Sequence, residues 1–259
     1  MPQGQKNITA KSLVPDGVLT NAAALMAQGA SRSRLNNWLR SHELVAETRG
    51  AYRRPGPPLK WQAVAYSLSQ MGYKLLPGGL TALDMHGLSH YLAMGKNPVI
   101  QLYGSDKPPA WLSHLATAEG AVFKCHPPLI PENKLPLDTI ASMPWGTWDW
   151  QIRHSSPELA MLEALNDLPG KLSFDHADKL FQGMVNVRPQ LISGLLRACK
   201  NIKVKRLFLW LAERHNHAWF QDIKVSEFDL GKGKRTLAKG GKFDPKYMIT
   251  VPEEFHGRK

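Results

Sequence analysis

Cysteine is almost missing from this chain: two in 259 residues, Cys125 and Cys199. Neither has a second cysteine nearby, so no zinc knuckle can form, and both read as reduced, buried thiols. Acid is scarce, with 21 Asp and Glu against 33 Lys and Arg, a formal net charge of +12. An excess of that size favours polyanion partners: DNA, RNA or an acidic protein. No run of about 18 apolar residues occurs, which excludes a transmembrane helix. The opening stretch MPQGQKNITAKSLVPDG lacks the apolar centre of a signal peptide, so the expected compartment is the cytoplasm. Internal repeats and low-complexity tracts are also missing. What remains is 43% hydrophobic residues, enough for a real core in one large domain or two modest ones.

The positive charge is concentrated in three places. Residues 1–60 hold nine basic side chains against three acids. A second group runs from Lys179 to Arg206, and no acid stands between Asp178 and Glu213. A third, Lys232, Lys234, Arg235, Lys239 and Lys242, lies in the tail. DNA alone would account for one patch; three point to a second anionic surface as well.

The first patch coincides with a helix-turn-helix pattern. Asp16-Gly17 marks a turn, and Thr20 or Asn21 can cap a short helix over AAALMAQ. Gly29 ends that helix and Ser31 caps the next, SRSRLNNWLRSHEL. Leu35, Trp38, Leu39 and His42 fall on one stripe; Arg32, Ser33, Arg34, Asn36, Asn37 and Arg40 lie on or beside the other face. Arg matches guanine and Asn matches adenine in the major groove, and both can hold phosphate. LVAET and AYRR then read as a hairpin turning at Arg49-Gly50, a wing that brings Arg49, Arg53 and Arg54 to the backbone or minor groove. Together these segments predict a winged helix-turn-helix, with Gln28 polar at a site where many such motifs bury an apolar residue.

After Pro55-Gly56-Pro57-Pro58, a helix over LKWQAVAYSLSQMG, a loop at 75–79 and a short helix over LTALDMHGL read as a buttress that closes this domain near residue 92. PVIQLYG, AVFKCH and WDWQIRHS read as strands. From Ser156-Pro157 the pattern becomes helical, with an amphipathic LAMLEALNDL and three more helices. The fold class expected is therefore α+β: residues 1–92 a winged helix-turn-helix with its helical buttress, and 93–259 a larger α+β domain with a small sheet and a C-terminal helical bundle.

Several motifs tempt towards catalysis and fail on spacing. His215-Asn216-His217 reads as a helix end. His86 and His90 could share a helix face, but without an obvious third ligand they read as structural. Gly231-Lys232-Gly233-Lys234-Arg235 looks phosphate-friendly, lacks P-loop spacing, and reads as a flexible basic loop. Ser173, His176 and Asp178 have triad residue types but no nucleophile turn. Trp145, Trp148 and Trp150 could stack bases, though cross-strand packing is the plainer role. A metal-dependent nuclease would need clustered carboxylates, which the acid-free stretch disfavours. No catalytic residue, metal or cofactor is expected.

Four segments resemble the AbiEi family, the antitoxins of AbiE-type (type IV) bacterial toxin–antitoxin systems. They are the N-terminal module ending at Arg49-Gly50-Ala51-Tyr52, then GGLTALDMHGL, then Ser156-Pro157-Glu158-Leu159-Ala160-Met161-Leu162-Glu163, and finally VKRLFLWLAERHNHAWF with DLGKGKRTLAKGGKFDPKYMITVP. Leu159 departs from the family's S-P-E-R-A pattern. The resemblance implies an abortive-infection (phage-defence) antitoxin that represses its own operon by binding inverted repeats in its promoter. It also implies a cognate AbiEii-like nucleotidyltransferase toxin as partner, countered directly or functionally. The candidate surface for that task is Lys200, Lys203, Lys205, Arg206, Lys232, Lys234 and Arg235, with double-stranded DNA as the other partner and no membrane involved. The alternative is a stand-alone winged-helix regulator whose C-terminal domain senses a ligand or oligomerises.

Overall fold

The computed structural model describes residues 8–88, 97–146 and 150–255. It is a mixed α and β protein of short helices and small sheets. In chain order the elements are α1 (Ala10–Leu13), α2 (Ala22–Ala27), α3 (Arg32–Arg40), β1 (Val45–Thr48), β2 (Ala51–Arg53), α4 (Trp61–Gln70), β3 (Leu75–Pro77) and α5 (Gly79–Met85). Then follow β4 (Val99–Gly104), β5 (Val122–His126), β6 (Ile140–Trp145), β7 (Trp150–Ser155), α6 (Pro157–Asn166), α7 (Phe174–Gln182), α8 (Pro189–Ala198), α9 (Ile202–His215), β8 (Arg235–Thr236), β9 (Lys242–Asp244) and β10 (Ile249–Val251). The sheets have the orders β1-β2, β3-β4-β5, β6-β7 and β8-β10-β9.

The chain divides into two compact units, each assembled from three stretches. One comprises Met1–Leu76, Gly95–Cys125 and Met143–Arg153; the other comprises Pro77–Met94, His126–Ser142 and His154–Lys259. These units do not follow a single cut at residue 92. The helix over LTALDMHGL, read from the sequence as part of an N-terminal buttress, belongs to the second unit as α5, where it packs on α6.

In the first unit, a small core of Ala10, Val14, Leu25, Ala30, Leu35, Trp38 and Leu44 sits under α2 and α3. A second core gathers Leu19, Ala51, Leu59, Val64, Leu68, Ile100, Leu102 and Trp111 around α4. Ser67 serves both sides of it: its hydroxyl donates to the Ala63 carbonyl at 2.6 Å and accepts from the Leu19 N–H at 2.8 Å. This satisfies a buried backbone donor outside regular structure, which would otherwise cost about 1–3 kcal/mol. The stretch 75–79, expected as a loop, begins as β3. Gly104 of β4 is required there, because a Cβ would come within 1.6 Å of the Lys74 carbonyl oxygen. Trp150 stacks on Tyr66 with centroids 4.9 Å apart and meets Trp145 at 5.8 Å, so those tryptophans pack and do not stand free for bases. Trp148 lies outside the described residues.

The second unit is built around α6. Ser156 caps it by accepting from Leu159 N–H, and Pro157 occupies its first turn, as the sequence predicts. The expected amphipathicity does not hold: residues 158–165 are all buried, because α5, α7, α8 and α9 all pack against α6. Two of those residues are glutamates. Burial opposes the Glu158 carboxylate, but hydrogen bonds from the Arg188 side chain at 2.9 Å and backbone N–H at 3.0 Å prevail and hold its pKa below the usual range. Among the described residues, Glu163 has no cation partner. It accepts from Gly79 N–H at 2.8 Å, and burial pushes its pKa up to about 8. Leu159, where the family's pattern has Arg, is buried in the apolar core. The unit ends in the sheet β8-β10-β9, with β8 parallel and β9 antiparallel to β10. The sequence reading ended the fold at the helical bundle and did not include this sheet.

Candidate nucleic-acid interface

The N-terminal site starts from helix ends. The Asn21 side chain accepts from Ala24 N–H at 2.8 Å and starts α2. Gly29, at φ +91°, turns the chain. The Ser31 hydroxyl accepts from Arg34 N–H at 3.2 Å and starts α3. Each side chain occupies one of the donors a helix N-terminus leaves open. Leu35 and Trp38 anchor the inner face of α3, and Leu39 is half-buried beside them. Arg32, Ser33, Asn36, Asn37 and Arg40 are exposed, with Arg34 half-buried at their edge. The Ser33 hydroxyl meets that of Ser31 at 2.9 Å. Among the described residues, the side chains of Arg32, Asn36, Asn37 and Arg40 have no hydrogen-bond or ion-pair partner. One member of the expected inner stripe fails: His42 lies beyond the helix, exposed, at φ +57°.

The hairpin β1-β2 follows, with Val45 opposite Arg53, Ala46 opposite Tyr52 and Thr48 opposite Ala51. Gly50 makes its turn at φ +96°, a backbone conformation that favours glycine. Thr20 and Tyr52 exchange both backbone hydrogen bonds at 2.8 Å, which ties the chain entering α2 to β2.

The three arginines expected on the wing have different surroundings. Arg49 is exposed at the turn. Arg54 is half-buried and pairs with Asp16 at 2.6 Å. Arg53 corrects the sequence reading. It is buried, pairs with Glu47, and donates to the carbonyls of Arg54 at 3.3 Å and Gly56 at 3.2 Å. Its position was readable in the strand's two-residue period, since it shares the inner face of β2 with Ala51.

The C-terminal cations divide in the same way. Lys200, Lys232, Lys234 and Arg235 are exposed. Lys203 donates to the carbonyls of Asn166 and Leu168 at 2.7 and 2.6 Å, capping the end of α6. Lys205 and Arg206 are buried. Arg206 donates to four carbonyls: Leu230 at 2.7 Å, Gly233 at 2.8 Å, Met248 at 3.0 Å and Gly231 at 3.1 Å. Lys203 and Arg206 therefore hold the fold together, and with the buried Lys205 they leave the predicted toxin-facing surface. The basic stretch 231–235 is no free loop, since Arg206 pins it.

The motifs set aside on spacing have structural roles. His86 bonds the Ser155 carbonyl at 3.0 Å, while His90 lies outside the described residues. His215 shares Asp178 with Arg214, and His217 bonds the Phe181 carbonyl. Ser173 caps α7. Both cysteines are free, and burial raises their thiol pKa values. Among the described residues, no three His, Cys, Asp or Glu side chains gather as a metal site, and no helix is long and apolar enough to cross a membrane.

Two family models match in tandem. Residues 5–94 match the N-terminal domain of the AbiEi antitoxin transcriptional regulators, and residues 97–252 match the AbiEi antitoxin, a transcriptional regulator of type IV toxin–antitoxin systems. The chain belongs to the AbiEi antitoxin family. No curated protein matches it in sequence. The crystal structure of the Rv2827c protein from Mycobacterium tuberculosis is similar in fold, with a TM-score of 0.51 over 93% of this chain and 88% of that one, at 16% identity. As an AbiEi antitoxin, the chain is a transcription regulator of a type IV toxin–antitoxin system.

Proposed function

We propose that residues 10–54 form a winged helix-turn-helix and that the protein represses its own operon by binding inverted repeats in the promoter. α3 is the recognition helix: Arg32, Asn36, Asn37 and Arg40 meet the major groove, Arg34 stands at its edge, and Arg49 reaches the backbone or minor groove from the wing. The observation that carries this reading is the outer face of α3, where Arg32, Asn36, Asn37 and Arg40 are exposed without partners among the described residues, above a helix fixed by Leu35 and Trp38. Arg53 supports the wing from inside and Arg54 contributes only where it leaves Asp16. Replacing Arg32 and Arg40 together by Ala removes two cations, so the slope of log K against log salt falls by roughly 1.8 for phosphate contacts. If one or both read bases, affinity drops by a further 1–3 kcal/mol per contact, roughly. Unchanged gel-shift affinity for the upstream DNA in this double variant refutes the assignment.

The second unit counters a nucleotidyltransferase-like toxin, directly or functionally. Of the surface predicted for this, Lys200, Lys232, Lys234 and Arg235 remain available. Co-expression tests them: charge-reversed variants that still rescue growth remove them from the role.

A further inference from the structure

We propose that the Gly231–Arg235 loop is a built phosphate site, taking the phosphate groups of a nucleotide or a nucleic-acid backbone. It lies in the second unit and does not depend on how the toxin is met.

The case begins with Arg206. A buried guanidinium has drawn the carbonyls of Leu230, Gly231 and Gly233 inward. In a trans peptide, the N–H of the next residue points opposite to the carbonyl. Three amides are therefore turned away from Arg206: those of Gly231, Lys232 and Lys234. The first donates to the Asp229 carboxylate at 2.8 Å. Those of Lys232 and Lys234 donate to no other described residue. Gly231 and Gly233, at φ +64° and +86°, adopt the left-handed backbone conformation from which anion-binding nests are built.

Charge reinforces this. The side chains of Lys232, Lys234 and Arg235 are exposed, and among the described residues none has a carboxylate partner. Lys234 lies over the Phe243 ring at 4.8 Å, which positions its ammonium without neutralising it. Burial lowers the pKa values of Lys203 and Arg206, and Arg235 lowers both further, although Asp167 raises that of Lys203. A phosphate would relieve that mutual repulsion. The loop also packs on the first turn of α9, since a Cβ at Gly231 would meet Ile202 at 3.2 Å. The positive end of that helix adds to the same field.

The test uses the full chain carrying Arg32→Ala and Arg40→Ala, to silence the operator face. Fluorescence anisotropy follows two probes at low ionic strength: a labelled nucleoside triphosphate and a labelled non-operator duplex. On this background, replacing Lys232, Lys234 and Arg235 together by Ala weakens at least one probe by at least about tenfold, as expected from losing three phosphate contacts. Loss confined to the triphosphate names a nucleotide as ligand; loss confined to the duplex names the backbone. Gly233→Ala, which keeps every charge but strains φ, weakens the same probe by at least about fivefold, with unchanged circular dichroism. Lys232→Arg with Lys234→Arg stays within about twofold. The proposal is overturned if neither probe responds to the triple change, or if Gly233→Ala binds as well as its parent, which would leave an unstructured basic patch.

Discussion

Glu163 should make the second unit less stable as pH rises through neutrality. Its carboxyl is buried in α6, faces no cation among the described residues, and has a folded pKa near 8 against 4.5 unperturbed. The sign follows from proton counting. Above pH 4.5 the unfolded chain releases this proton while the folded chain keeps it, so stability falls with pH until about pH 8, where both states are ionised. At about 1.4 kcal/mol per pH unit, the cost at pH 7 is about 3 kcal/mol. Glu163→Gln keeps an oxygen for the Gly79 N–H and removes the titration. Calorimetry should find its Tm close to that of the parent at pH 5 and roughly 6–12 °C higher at pH 7. The gain should level off above pH 8. A difference that does not vary with pH, or a variant less stable at pH 7 than at pH 5 relative to its parent, refutes a neutral buried acid.

Other expected outcomes separate support from contact. Arg53→Ala strands Glu47 and two carbonyls, and thermal melts should show a loss of about 3 kcal/mol or more. Arg49→Ala should leave stability within about 0.5 kcal/mol while lowering the salt slope of DNA binding by about 0.9. Equal melting losses at the two positions would contradict the division between them. Gly104→Ala drives a Cβ into the Lys74 carbonyl, so urea titration should show destabilisation of about 3 kcal/mol or an insoluble chain, and a well-folded variant would mean that β3 and β4 can separate freely.

What could be read from the sequence was local. Asn21, Ser31 and Ser156 act on N–H groups three residues away, and Gly29 and Gly50 answer a backbone angle, so their neighbours alone reveal them. The fates of the cations were not local. Arg206 is occupied by carbonyls 24 to 42 residues onward, and Lys203 by carbonyls 35 and 37 residues back. α9 presents Lys and Arg in a pattern that reads as surface, yet residues 204–212 are buried. The terminal sheet escaped because strands of two and three residues are too short to show alternation. The two interleaved units escaped because hydrophobic pattern records burial and not which core a segment joins.

The Thr20–Tyr52 pairing makes the chain ahead of α2 in effect a third strand of the hairpin. Helix pair and hairpin are thus tied together through this pairing. Neither can be re-aimed without the other. If the module reads DNA as proposed, its reach is a fixed calliper setting: phosphates and base edges must lie at one separation. One base pair inserted between them in an operator would then cost as much as losing either contact outright.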